Sequence, residues 1–197
     1  MLTLEICATV LGLLQGVLVL FNKRSNWIFY IAQILCLILF SYLNKLYGDV
    51  CNNIIYLFLG IIGWFLWKNE SSLKITECTN KERFLYILVI ICGSLILFSA
   101  LSKTNDPLPL LDSFTTISSL VATYYMVKKK LDTWVIWFVN DILYVIQYSQ
   151  LEREAYYLIF LNLVWTIMAI ASFINWSKIM KGDLKWRKSI SQANLTK

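Results

Sequence analysis

Apolar residues run along this chain in seven long stretches broken by short polar punctuation. The cleanest is 84–101, eighteen residues without a charge, long enough to cross a bilayer core about 30 Å thick as a helix. The same pattern predicts helices at 4–21, 27–44, 49–67, 84–101, 111–127, 133–149 and 155–175. The first stretch has no basic leader and no small-residue cleavage site, so it is expected to stay as a first helix rather than leave as a signal peptide. The fold class predicted is an all-α integral membrane protein of seven transmembrane helices.

Composition agrees with that reading. Apolar residues make up 58% of the chain and charged residues 15%, with 8 Trp, too little polar surface for an ordinary soluble domain. The net charge of +6 does not point to nucleic acid, because of where the cations fall. Fifteen of the eighteen basic residues follow helices 1, 3, 5 and 7: Lys23 and Arg24; Lys68, Lys74, Lys81 and Arg83; Lys128, Lys129 and Lys130; Lys178, Lys181, Lys185, Arg187, Lys188 and Lys197. Lys45, Lys103 and Arg153 lie on the other side. Basic loops stay in the cytoplasm, so the amino terminus is expected outside and the carboxy terminus inside. Cys7, Cys36, Cys51, Cys78 and Cys92 show no metal-type spacing and read as small hydrophobes. The sequence has no histidine, which rules out a His-based triad, metal site or proton relay.

Helices 1–3 and 5–7 lay over one another. Glu5 falls on Asp112, Gln33 on Asp141, Asn53 on Asn162, Tyr56 on Trp165 and Trp67 on Trp176. Both units place a basic loop after their first helix, "NKRSN" and "KKKLD". Helix 4 supplies the odd crossing that keeps them parallel, which gives a 3+1+3 plan of the kind SWEET transporters use. The expected organisation is a first repeat at 1–68, helix 4 and its loops at 69–108, a second repeat at 109–178 and a basic cytoplasmic tail at 179–197.

Helix 6, "TWVIWFVNDILYVIQYS", carries the candidate chemistry. Trp134, Trp137, Asp141, Tyr144 and Tyr148 share one helical face. A carboxylate at mid-membrane costs roughly 2.5–3.5 kcal/mol on insertion scales, so it normally faces a wet cavity or a partner. Aromatic faces nearby can stack a flat ring and hold a cation. Asn140 must point away from this face. Trp165 is mid-span, one turn from Asn162, and both are expected to line the cavity with Gln33, the counterpart of Asp141. Asn53 and Tyr56 are candidates in the first repeat. Trp27, Trp67, Trp134 and Trp176 lie near span ends and suit an interfacial belt as well as a ligand contact. Gly60 and Gly63 read as sites of close helix packing, and Glu5 and Asp112 as solvated helix ends.

"WVIWFVND", "GIIGWFLW" and the placement of Glu5, Asn26 and Gln33 resemble the Pnu family of bacterial vitamin-precursor transporters. The likeness spans about residues 4–176. It includes W-x-x-W (Trp134, Trp137), G-W-x-x-W (Gly63, Trp64, Trp67), L-Y followed by Asn53 (Leu46, Tyr47), and D-S (Asp112, Ser113). The resemblance implies a SWEET-like bundle, a substrate held between the repeats near the midplane, and facilitated diffusion followed by cytoplasmic phosphorylation by a separate enzyme. It implies nicotinamide riboside first. Riboside-type members carry Asn where this chain has Asp141, Gln33 replaces a similar Asn, and Asn162 and Trp165 also depart from the pattern. Thiamine-type members have an acidic residue at the Asp141 position, which keeps thiamine as the alternative. The expected site is thus Asp141, Trp137, Trp134, Tyr144, Gln33, Asn53, Tyr56, Asn162 and Trp165, with no cofactor or metal.

Other classes fit less well. Intramembrane acid–base groups reduce to nearly Asp141 alone, thin for an enzyme, and no G-x-x-x-x-G-K-[ST] loop exists for an ATP-driven pump. A proton-coupled carrier would use Asp141 as its proton site, and a receptor would bind without flux. Partners expected are a small molecule and the bilayer, in the bacterial inner membrane. A homo-oligomer, dimer or trimer, is compatible with the sequence.

Overall fold

The computed structural model describes residues 2–44, 47–68, 73–150 and 156–195. Seven helices account for them: α1 (Leu2–Leu20), α2 (Asn26–Leu43), α3 (Tyr47–Leu66), α4 (Asn80–Leu101), α5 (Pro109–Val127), α6 (Thr133–Ser149) and α7 (Tyr156–Leu195). All seven coincide with the apolar stretches of the sequence. Lys45, Leu46, Arg153 and Lys197, and the side chains of Glu5, Tyr47, Arg187 and Lys188, lie outside the described residues.

Local chemistry sets several helix ends. Thr79 and Glu82 form a reciprocal capping box that starts α4 and satisfies backbone donors a helix start leaves open. Proline opens α5, where its missing N–H is not needed. α7 continues for 40 residues to Leu195, about 60 Å at 1.5 Å per residue, so the segment from 179 is helical and continuous with the last membrane helix. No proline or glycine cap interrupts it.

Four helices are long and apolar enough to cross a membrane unaided, within Asn26–Leu43, Asp49–Leu66, Asn80–Leu101 and Leu158–Lys185, and the apolar part of α1, Ile6–Leu20, is shorter. Outward-facing Phe58, Phe65, Phe84, Ile96, Phe160 and Ile167 give the bundle a lipid-compatible surface. α5 and α6 are the more polar pair. α5 buries Ser113, Thr115, Ser118, Ser119 and Thr123, small residues that let helices approach closely and bond across the contact.

The helices pack in sequence within each group of three, α1 on α2 on α3 and α5 on α6 on α7. Two seams join the groups, α1 against α7 and α3 against α5, while α4 packs on α5. Exchanging α1, α2, α3 for α5, α6, α7 maps this neighbour pattern onto itself. The connecting turns repeat down to single hydrogen bonds. Asn22 N–H donates to Val19, Lys23 to Leu18, Asn26 to Lys23, Trp27 to Arg24 and Ile28 to Ser25. Residues 107 positions later do the same: Lys129 to Met126, Lys130 to Tyr125, Thr133 to Lys130, Trp134 to Leu131 and Val135 to Asp132. Asn22 (φ 55°) and Lys129 (φ 52°) are the non-glycine residues in the left-handed region, one in each turn. This correspondence pairs Trp27 with Trp134. It stands one residue out of the sequence alignment that laid Gln33 on Asp141.

The ends of α1, α3 and α5 converge with the middle of α7 where the basic loops lie. There Trp27 meets Trp67 edge-on at 5.4 Å between ring centroids, Trp67 lies 5.9 Å from Trp176, and Trp176 meets Trp134 edge-on at 5.1 Å. Trp27, Trp67 and Trp176 are at most 1% exposed and Trp134 is 6% exposed. These four are core residues, neither an interfacial belt nor, Trp134 apart, part of a cavity. Two indoles bond across the groups: Trp67 Nε1 donates to the Val127 carbonyl at 3.0 Å and Trp176 Nε1 to the Val19 carbonyl at 2.9 Å. Glycine makes room for the rings. A Cβ on Gly63 would fall 2.4 Å from the Trp27 ring, and one on Gly60 2.8 Å from Tyr30, so "GIIG" is a shelf for α2 aromatics.

The segment before α4 is tied to the same end. Thr76 exchanges backbone bonds with Lys129 and Leu131. Asp132 accepts from the Cys78 N–H and from Arg83 Nε, each at 2.7 Å, and Lys130 pairs with Glu82 at 3.0 Å. Burial and the Asp132 carboxylate push the Cys78 thiol up to about 12.

Candidate functional site

A cavity of about 250 Å³ lies between α1, α2, α6 and α7. The face predicted for α6 reaches it: Trp134, Trp137, Asp141 and Tyr144 all line it. Their i, i+3, i+7, i+10 spacing keeps them on one side of a regular helix, and α6 is unbroken from Thr133 to Ser149. Asn140, the next residue round, turns away and accepts a 2.6 Å bond from Ser118 on α5. That contact fixes the rotation of α6 and so aims Asp141 inward.

Gln33 enters from α2, and Asn162 and Trp165 from α7. Two glycines of α1 make space for them. A Cβ on Gly12 would stand 2.6 Å from Gln33 Nε2, and one on Gly16 2.6 Å from the Trp165 ring and from the Met168 methyl. Asn162 donates to the Leu158 carbonyl of its own helix at 2.8 Å, leaving its amide oxygen as the group a ligand would meet.

The remaining two candidates lie elsewhere. Asn53 donates to the Asp49 carbonyl within α3, and Tyr56 bonds Ser119 at 2.5 Å across the α3–α5 seam. Neither lines the cavity. Their helix faces α5, whose small hydroxyl residues fill the space that α7 leaves open on the other seam.

Sequence reasoning missed half of the lining. Gln15, Gly16 and Val19 come from α1, Tyr30 from α2, Met126 from α5, and Met168, Ala169 and Ser172 from α7. The signal for the α7 residues was available: Asn162, Trp165, Ala169 and Ser172 follow a helical stripe. Nothing in the sequence separated Gln15 or Tyr30 from ordinary packing positions.

The cavity's chemistry is one-sided. Asp141, only 4% exposed, is its single ionisable carboxylate, and neither lysine nor arginine lines it. None of the described residues gives Asp141 a hydrogen bond or an ion pair. The Trp134 indole N–H and the Ser172 hydroxyl are also buried without a partner. Unpaired buried polar groups are costly, so the lining offers a carboxyl group, an indole N–H and a hydroxyl to an incoming molecule. Around these stand the rings of Trp137, Tyr144 and Trp165, which suit a flat ring between them. Tyr144 in turn stacks on Tyr148, 5.8 Å away and nearly parallel at 13°. No cluster of His, Cys, Asp or Glu among the described residues could hold a metal.

Known proteins share this fold. Residues 2–178 match the family model described as nicotinamide mononucleotide transporter. The nicotinamide riboside transporter PnuC of Neisseria mucosa is 24% identical over 88% of this chain and 72% of its own length. PnuC of Haemophilus influenzae is 25% identical over 90% of this chain and 80% of its own. A crystal structure of the vitamin B3 transporter PnuC superposes with a TM-score of 0.72 at 24% identity, covering 90% of this chain and 82% of that one. With a family model spanning nearly every helix and a solved transporter sharing the fold, the chain belongs to the nicotinamide mononucleotide transporter family and is a multi-pass membrane transporter.

Proposed function

We propose that the substrate is a flat, cationic vitamin precursor, with nicotinamide riboside first. One observation carries this reading: Asp141 stands unpaired in a cavity free of basic side chains. A pyridinium ring supplies the missing positive charge and a face for Trp137, Tyr144 and Trp165. Its carboxamide and ribose hydroxyls match the Trp134 N–H, the Ser172 hydroxyl, Gln33 and Asn162. A mononucleotide fits poorly despite the family's description, because its phosphate would enter a cavity with a carboxylate and no cation to meet it. The named riboside transporters among the relatives support the same choice. Thiamine keeps a specific claim, since its aminopyrimidine could donate to Asp141.

The duplicated turns and the self-mapping neighbour pattern support two parallel repeats, 1–68 and 109–178, joined by α4. In this reading the basic end is cytoplasmic, the amino terminus is outside, and the four tryptophans close the cavity on the inner side. Alternating access then separates Trp67 of one repeat from Trp176 of the other, exchanging the two indole–carbonyl bonds for water. Transport is facilitated diffusion across the bacterial inner membrane.

The test is a titration of intrinsic tryptophan fluorescence with nicotinamide riboside, thiamine and nicotinamide mononucleotide in parallel. Saturable quenching by the riboside, and none by the mononucleotide, is expected. Asp141→Asn should weaken riboside binding by roughly 5- to 150-fold, the loss of a charge-assisted contact worth about 1–3 kcal/mol. Unchanged affinity in that variant removes Asp141 from the site. Quenching by thiamine alone transfers the assignment to thiamine. Uptake into vesicles that collapses with the proton gradient would replace the facilitator by a proton-coupled carrier.

A further inference from the structure

α4 joins the two triplets in sequence, yet it packs on only one of them. Among the described residues its helix neighbour is α5, and no helix of the first triplet packs on it. Ile90 of α4 shares a buried cluster with Ala122 of α5 and Ile136 of α6, and Tyr86 meets Tyr125 edge-on at 5.6 Å. Between α3 and α4 runs an apolar furrow of about 310 Å³. Ile55 and Leu59 of α3, Leu85 and Val89 of α4, and Leu120 and Val121 of α5 line it. Among the described residues no hydrogen bond or ion pair joins α3 to α4.

The polar ties of α4 run to the second triplet. Asp132, the residue before α6, is buried. Its carboxylate does not cap its own helix and turns instead to the segment that leads into α4. One oxygen accepts from the Cys78 N–H and the other from Arg83 Nε, each at 2.7 Å. Around this clamp Thr76 pairs with the backbone of Lys129 and Leu131, Lys130 pairs with Glu82, and the Tyr125 hydroxyl donates to the Glu82 carbonyl. A buried carboxylate needs partners that offset its desolvation, and those of Asp132 belong to residues 78–83. Two positions on, Trp134 lines the substrate cavity, so the clamp joins α4 to the helix that carries Asp141.

We infer, on the alternating-access reading proposed above, that Asp132 is a positioning residue of the transport cycle: it holds α4 to α5–α7, so that α4 travels with the second triplet. Packed and hydrogen-bonded elements move together, and sliding falls where few contacts must be exchanged. Surfaces that meet only through apolar side chains can part without leaving a polar group unpaired. The furrow gives α3 that freedom relative to α4. The moving boundary therefore runs through the furrow and the two seams, with α1–α3 on one side and α4–α7 on the other. α4 is then more than a connector that sets the orientation of the second triplet; it braces α5 while α3 moves past.

Cysteine pairs locate the boundary in proteoliposomes, with Cys7, Cys36, Cys51, Cys78 and Cys92 replaced by alanine. Uptake of whichever of nicotinamide riboside and thiamine quenches the fluorescence is measured before linking, after a bifunctional methanethiosulfonate, and after reductant. Linking Tyr86→Cys to Tyr125→Cys, α4 to α5, should leave uptake within about twofold. Linking Leu59→Cys to Val89→Cys across the furrow should cut it at least about tenfold, as should linking Tyr56→Cys to Ser119→Cys across the α3–α5 seam, and reductant should restore both. Uptake lost on the α4–α5 link, or retained on the furrow link alone, overturns the inference. Uptake retained on both the furrow and the seam links removes alternating access itself. Without any link, Asp132→Asn keeps an acceptor for the Cys78 N–H and loses the charge facing Arg83. Its maximal uptake should fall at least about threefold while the dissociation constant stays within about twofold, and Asp132→Glu should recover most of the rate. Equal changes in rate and affinity, or no change in either, strip Asp132 of the positioning role.

Discussion

The two seams that join the helix triplets occupy corresponding places and hold different things. Between α3 and α5, Tyr56 bonds Ser119, and small hydroxyl residues of α5 draw the helices together. Between α1 and α7, Gly12 and Gly16 withdraw from the contact, and Gln33, Trp165 and Met168 reach into the gap. The basic end of that seam is nevertheless tied, by Asn175 to the Leu20 carbonyl and Trp176 to the Val19 carbonyl, each at 2.9 Å. One seam is a packed joint and the other a joint with a room in it. Two seams in corresponding places thus differ in whether they leave a cavity among the described residues, because side-chain size on α1 and α5 decides how closely each can pack.

If this contrast is right, substitutions on the two sides separate binding from stability. The largest effect is expected at Gly16. A leucine there would occupy space that a single Cβ already shares with Trp165 and Met168 at 2.6 Å, and substrate affinity by isothermal titration should fall by about two orders of magnitude. Binding that survives would place the ligand away from the α1–α7 seam. On the opposite seam, Ser119→Ala leaves the Tyr56 hydroxyl buried without its partner and should cost about 1–2 kcal/mol of stability. Its dissociation constant should stay within about twofold of wild type. Tyr56→Phe restores the balance by removing both polar partners, so the double variant should be more stable than Ser119→Ala alone in thermal unfolding. A fall in affinity with Ser119→Ala would mean that the packed seam also touches substrate. The smallest effect belongs to Asn53, whose amide bonds only within its own helix: Asn53→Ala should alter stability by no more than about 0.5 kcal/mol and leave binding as it was.

The helix count and about half of the cavity lining were readable before any coordinates. Seven apolar stretches become helices because lipid leaves a crossing segment only a helix or a closed barrel to satisfy its backbone, and stretches this long exceed the roughly 10 residues of a barrel strand. The stripe through Asp141 followed from helical periodicity, and its inward direction from the cost of a lipid-facing carboxylate. Asn53 and Tyr56 lie outside the cavity for an instructive reason. Their alignment with Asn162 and Trp165 was chemically sensible, but it assumed that equivalent positions face equivalent surroundings. The tryptophans near helix ends are buried, a different case. Position along a helix says how deep a residue lies, and says nothing about which side of the helix is covered.

The sequence by itself determined which segments cross the membrane, which end of the bundle is basic, and which face of α6 carries charge and rings. These are consequences of hydrophobic length, charge placement and the 3.6-residue period, all of which act locally along the chain. Tertiary structure alone decided that Gly16 of α1 stands under Trp165 of α7, that the four tryptophans close into one cluster, and that Asp132 reaches Cys78 and Arg83. Those are contacts between residues forty or more positions apart, and they depend on which helices become neighbours and how each is rotated. Local propensity fixes neither.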